Sequence, residues 1–174
     1  KTDYLTIKFN RKRTVPITLF LRAMAAIDDG LNDPLLVDGS DEEILALFED
    51  IDTNPEHLYI QGSIEQEPPW APDKPLPEQA LIEFYKRMRP GDPPTLDNAK
   101  QYLSEQLFDQ RRYDLAAVGR YKLNKRLDLE NIIPLSHRTI TQHDIVRFVR
   151  RMILINNGQE GPDDIDHLGN RRRR

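Results

Sequence analysis

The residues with the most chemistry in this sequence stand near its end, in "DDIDHLGNRRRR", Asp163 to Arg174. Asp163, Asp164 and Asp166 put three carboxylates within four residues, the hard oxygen donors that a divalent cation takes. Magnesium pairs held in this way serve phosphoester chemistry, so a metal-dependent phosphoester enzyme is one candidate function. Against it, no second acidic cluster of that spacing occurs in the basic half, and the arginines that follow compete for the carboxylates. The four histidines, His57, His137, His143 and His167, are scattered. His143 has no second histidine four positions on, so the pattern does not build a zinc site. No glycine-rich phosphate loop and no nucleophile elbow occurs. The chain has no cysteine, which excludes disulfides and thiolate metal sites and suits a cytoplasmic protein.

The same stretch supports a second chemistry. Arg171, Arg172, Arg173 and Arg174 form a dense cationic run, and Arg111 with Arg112, and Arg120, Lys122, Lys125 and Arg126, form two more. Such patches neutralise phosphates and release counterions. Arg120, Lys122, Arg172 and Arg174 are the candidate phosphate contacts. A carboxylate beside them, Asp166, accepts from a guanine edge or a cytosine amine, and an arginine forks onto guanine or stacks on a base. Tyr113 and Tyr121 fit core or rim positions better than base stacking. Charge over the whole chain has the same asymmetry. From Asp28 to Glu78 there are fifteen acidic residues and one basic residue, Lys74, whereas from Phe84 to Arg126 there are ten basic and five acidic. A net charge of −4 therefore hides a molecule able to meet a polyanion on one face and repel it on another. The acidic half is also a candidate docking patch for a partner protein.

The elements that position these residues follow from local patterns. At 174 residues the chain is long enough for one domain with a real core. No apolar run approaches the roughly 20 residues of a membrane helix. The chain opens on Lys1 without a charged-then-apolar leader, which predicts a piece of a longer polypeptide. "YLTIKF" reads as a strand and "NRKRT" as a turn. Pro16 then opens a short apolar helix, "PITLFLRAMAA". Ser40 and Glu43 form a capping box for "SDEEILALFED". "HLYIQGSI" reads as a short strand. Residues 65–77 hold five prolines in thirteen, an extended connection, with Trp70 packing it down rather than presenting a binding platform. Helices follow over "PEQALIEFYKRM", over "TLDNAKQYLSEQLF" capped by Thr95, and over the basic "RYDLAAVGRYKLNKRL". The last helix, "TQHDIVRFVRRMILINNG", is capped by Thr141, presents Ile145, Phe148, Val149, Met152 and Ile155 as its apolar stripe, and stops at Asn157-Gly158. The expected fold is α+β, mainly helical with a few short strands. The expected organisation is one domain over 1–174: an acidic half 1–64, a proline-rich connection 65–77 and a basic helical half 78–174.

"FYKRMRPGDPPT", "FDQRRYDLAAVGRYKLNKRL" and "DDIDHLGNRR", in this order and spacing, resemble the β subunit of bacterial DNA-dependent RNA polymerase. "KFNRKRTVPITLFLRAM" is similar to an earlier segment of it. The likeness runs from about Thr6 to Arg172 and corresponds to the lobe, the second β domain. It implies a transcription protein, a wall of the DNA cleft that contacts downstream DNA and the non-template strand. It also implies no catalysis by this segment alone, since the catalytic magnesium belongs to the β′ subunit, and hence no cofactor here. The implied partners are DNA, β′, α, σ, the rest of β and transcription factors, with no membrane, in the cytoplasm at the nucleoid. In the family, the "DIDHLGNR" stretch helps line a pocket for an unpaired guanine. Ile165, Asp166 and Arg171 match it, Asp166 as base-reading acceptor and Arg171 as cationic wall. Asp163 and Asp164 then fall to structural or capping roles. Asn10 stands where the family commonly has an aspartate of the same pocket, Arg173 where an aliphatic residue is usual, and Trp70 does not match the family's stacking tryptophan.

Overall fold

Alternation in the first ten residues and a proline at position 16 together make a hairpin that feeds a helix. The computed structural model describes residues 3–10 and 13–158. Strand β1 (Thr6–Asn10) pairs antiparallel with β2 (Arg13–Pro16), with Ile7 opposite Val15 and Asn10 opposite Arg13. The register shifts between Lys8 and Asn10, as at a bulge. The "NRKRT" segment, expected only to turn the chain, thus supplies Arg13 and Thr14, the first half of a second strand. Pro16, at φ −56°, is set for helix entry, and the Ile17 N–H donates to the Leu5 carbonyl at 3.0 Å.

Helix α1 (Ile17–Met24) is buried along its whole length, Arg22 included. A helix apolar nearly all round belongs at the centre of a domain. Around it stand α2 (Asp41–Phe48), α3 (Tyr59–Glu65), α4 (Leu76–Met88), α5 (Leu96–Leu103), α6 (Ala116–Leu127) and α7 (Gln142–Asn156). A π-helical turn, Ser104–Phe108, extends α5. The described residues are therefore mostly helical with one two-stranded sheet, the expected α+β class.

The main core draws on both the acidic and the basic halves: Phe20 and Met24 of α1, Ile44 and Phe48 of α2, Leu81 and Phe84 of α4, and Val149 and Ile153 of α7 are all buried in it. The rings of Phe9, Phe20 and Phe84 meet with centroids 5.0 to 5.8 Å apart, Phe9 and Phe84 edge-to-face and the other two pairs tilted, contacts that add to area burial. Replacing the fully buried Phe84 by alanine costs about 3–5 kcal/mol. A smaller cluster, Leu127, Leu129 and Ile133, closes the segment between α6 and α7.

Two expectations are corrected. "HLYIQGSI" is helix α3, not a strand. The Asp52 carboxylate accepts from the N–H groups of Tyr59 (3.1 Å) and Ile60 (2.9 Å), satisfying helix-start donors that would otherwise lack partners. On α7 the fully buried apolar stripe is Val146, Val149 and Ile153, whereas Phe148 is 53% exposed. The two stripes are neighbours at helical spacing, and packing against α1 and α6 selects between them. The 65–77 connection is pinned by Gln79, which bonds the Ala71 N–H (2.8 Å) and the Ala71 and Lys74 carbonyls (both 2.9 Å). Trp70 is half-buried and donates to Glu67 at 3.0 Å.

Candidate nucleic-acid interface

Helix α6, Ala116–Leu127, carries Arg120, Lys122, Lys125 and Arg126 and has no carboxylate. Its 3.6-residue period points these cations in different directions. Arg120 points inward and is fully buried. Its fork meets Asp144 of α7 with both oxygens, at 2.7 and 3.0 Å. Nε donates to the His137 carbonyl at 2.7 Å, Nη1 to Asn124 Oδ1 at 3.2 Å, and Nη2 to the Thr139 carbonyl. Five N–H donors thus find five acceptors, the full capacity of a guanidinium. Asp144 also accepts from the Thr141 N–H (2.9 Å) and hydroxyl (3.1 Å), closing the α7 capping box. Arg120 is therefore no phosphate contact. A phosphate cannot reach it, and removing it would leave a buried carboxylate short of its counter-ion.

Lys122 lies on the outer face of α6 and is exposed, as are Lys125 and Arg126. Lys122 and Lys125 have no ion-pair partner among the described residues. Lys125 Nζ stands 3.4 Å from the Tyr121 hydroxyl and 5.6 Å from the ring centroid, and Tyr121 is 50% exposed. Beside them runs an open groove of about 600 Å³, floored by Leu115, Gly119 and Leu123.

The preceding loop is less available to an anion. Arg111 pairs with Asp109 at 3.1 Å, and Arg112 lies 3.9 Å from Glu105. Hydrogen bonds from the Arg111 side chain and backbone hold the Asp109 carboxyl below its ordinary range. Asp114 is lowered as well, first by the Ala116 N–H and then by Arg138. These pairs position the start of α6 but neutralise the cations they use.

A second cationic groove, of about 460 Å³, lies where β2 meets the end of α4 and includes Arg13, Arg89, Tyr102 and Gln106. Arg13 donates to the Arg87 carbonyl at 2.8 Å, and the Arg89 guanidinium stands 5.4 Å from the Tyr102 ring centroid. Both arginines stand in short basic stretches, "RKR" at 11–13 and "KRMR" at 86–89, which sequence reading takes for a turn and a helix end rather than for anion contacts. Asn10 ends β1 on the hairpin, which packs on α1 and α4, whereas α6 packs on α7. Ile165, Asp166, Arg171, Arg172 and Arg174, with Asp163 and Asp164, lie outside the described residues. Among the described residues no cluster of three or more histidines and carboxylates is placed to hold a metal, and no helix is long and apolar enough to cross a membrane.

The whole chain, residues 1–174, matches the family described as RNA polymerase Rpb2, domain 2. The chain belongs to this family. It is 47% identical over 187 aligned residues to the DNA-directed RNA polymerase subunit beta of Chloroflexus aggregans, a match that covers 99% of this chain and 15% of that protein. It is 44% identical to the subunit of the same name from Dehalococcoides mccartyi, over 98% of this chain and 12% of that protein. For the subunit of Gloeobacter violaceus the identity is 38%, over 98% of this chain and 13% of that protein. The chain thus spans between about an eighth and a seventh of these relatives. Membership in the Rpb2 domain 2 family favours neither a free-standing metal-dependent phosphoester enzyme nor a module recruited only as a docking surface.

Sequence inspection also missed the second buried arginine of this Rpb2 domain 2 chain. Arg22 donates to the Gly39 carbonyl (2.7 Å) and Asp41 (2.5 Å), and it pairs with Glu67 at 3.0 Å. It thereby ties α1 to the start of α2 and to the 65–77 connection. Its only sequence signal is one charge inside an otherwise apolar helix, "ITLFLRAM", which marks a residue with a buried partner.

Proposed function

We propose that this chain is the second domain of the β subunit of a bacterial DNA-directed RNA polymerase, the lobe that forms one wall of the DNA cleft and serves transcription without catalytic residues of its own. The single observation that carries the reading is the family match over residues 1–174. The exposed cations of α6 and the Arg13–Arg89 groove fit it, because a cleft wall must attract phosphate without base readout at every point. The acidic surface around α2 then faces away from the nucleic acid, since like charge repels it. Other β segments, β′, α and σ are the expected assembly partners, transcription factors further ones, and the cytoplasmic nucleoid the place of action.

Within this function Asp166, Ile165 and Arg171 form the pocket for an unpaired guanine of the non-template strand, joined by Asn10. A carboxylate accepts from the N1 and N2 edge of guanine, which no other base presents as a donor pair. Arg172 and Arg174 add phosphate contacts. The test is Asp166→Ala in the assembled polymerase, comparing open-complex lifetime on promoters with guanine or thymine at the downstream edge of the bubble. Loss of one charge-assisted contact pair lowers the guanine preference by about 1–3 kcal/mol, roughly 5- to 150-fold. An unchanged preference removes the pocket assignment.

A further inference from the structure

Resting on that DNA-contact reading, we propose that the outer face of α6 is a binding site for single-stranded nucleic acid, in which a base stacks at Tyr121 and adjacent phosphates rest on Lys122 and Lys125. Sequence-agnostic single-strand sites combine an aromatic platform with a cationic track, and α6 has both on one surface. Tyr121 is half exposed rather than built into the core. Lys125 Nζ stands over one face of the ring and 3.4 Å from the hydroxyl, so a base stacked on the opposite face brings its phosphate next to an ammonium. Lys122 and Lys125 are three positions apart, neighbours about 5–6 Å apart on a helix surface, on the scale of consecutive phosphates along a strand.

Along α6 itself the local electrostatics favour an anion, and the exposed Asp128 and Glu130 follow only after the helix ends. No carboxylate occurs from Ala116 to Leu127. The nearest acid upstream, Asp114, is engaged by the Ala116 N–H and by Arg138, at 2.7 and 2.6 Å. Arg120, the one cation of α6 that turns inward, is consumed by Asp144, which fixes the helix and thereby which face the other cations present. The adjoining groove adds an apolar floor for a sugar or a second base. Gly119 lines it and adds no side chain to fill it. An acidic peptide would satisfy the lysines but would not require an exposed aromatic face, so the tyrosine decides for nucleic acid.

Fluorescence anisotropy of the 174-residue chain with labelled oligothymidylate of about 12 nucleotides, between about 50 and 200 mM salt, tests the assignment. Lys122→Ala/Lys125→Ala should flatten the salt dependence by about 1.4 in log–log slope, the value for two phosphate contacts on a single strand. Tyr121→Ala should weaken binding roughly 5- to 150-fold, while Tyr121→Phe, which keeps the ring, should bind as the parent does. These side chains are exposed, so unchanged circular dichroism is expected for all three variants. Parent-like binding by both the double variant and Tyr121→Ala would overturn the α6 site while leaving DNA contact elsewhere intact. Failure of the parent to bind any DNA would instead overturn the DNA-contact reading and this site with it. Capture of a polyglutamate probe that is lost on removing the lysines but indifferent to Tyr121→Ala would assign the face to an acidic protein and overturn the nucleic-acid assignment.

Discussion

Replacing Asp144 by alanine perturbs this fold at its most concentrated polar point. Asp144 and Arg120 have side-chain exposures of 3% and 0%, and the carboxylate takes both arms of the guanidinium as well as the Thr141 cap. Removing it strands a cation in the interior, which costs about 3–5 kcal/mol, much of it the desolvation of the unpaired charge. Loss of the α7 capping contact costs about 1 kcal/mol more, partly overlapping the first figure because both act through one side chain. For a domain of this size each kcal/mol moves the midpoint by roughly 2–4 °C, so Asp144→Ala should melt about 6–20 °C lower. Urea unfolding should show an unchanged slope and a lower midpoint. Arg120→Met with Asp144→Leu should recover part of the loss, because a well-packed apolar pair can replace a buried ion pair. A cost below about 1 kcal/mol would refute the burial argument. So would a folded, parent-stable Arg120→Ala with weakened DNA binding, since that outcome would return Arg120 to the phosphate track.

Further outcomes follow from single features. Ser40→Ala removes the side-chain acceptor of the α2 capping box, in which Glu43 closes back on four backbone donors before it, and should cost about 0.5–2 kcal/mol in urea unfolding. Ala116 opens α6 at φ +58°, a conformation that penalises a Cβ, so Ala116→Gly should stabilise by up to about 1–2 kcal/mol. The Asp50 carboxyl is held below its ordinary value chiefly by hydrogen bonding to Arg150, at 2.7 and 2.8 Å. A carboxyl lowered in the folded state contributes stability that is present above its unfolded value near 4 and is lost as pH falls through the folded value. The stability advantage of the parent over Asp50→Asn should accordingly hold at neutral pH and shrink below about pH 4.

Local chemistry determined much of this protein. The caps at Ser40, Thr95 and Thr141 link residues three apart, so their patterns are legible wherever the chain goes. Pro16 at the entry to α1, the break after Met88, and the order of motifs that marks the family are likewise properties of the string itself. Tertiary structure decided what depends on distant partners. Residues 59–65 have strand-like composition, yet they form a helix because Asp52 supplies its start and Ser63 bonds the Leu5 N–H at 2.9 Å. The α7 stripe shifted by one position because α1 and α6 chose the buried face. Lys122 and Arg120 are two residues apart and carry the same charge, but only packing separates their fates. A guanidinium enters a core when a carboxylate twenty-four residues away is there to meet it, and the sequence alone places no such partner.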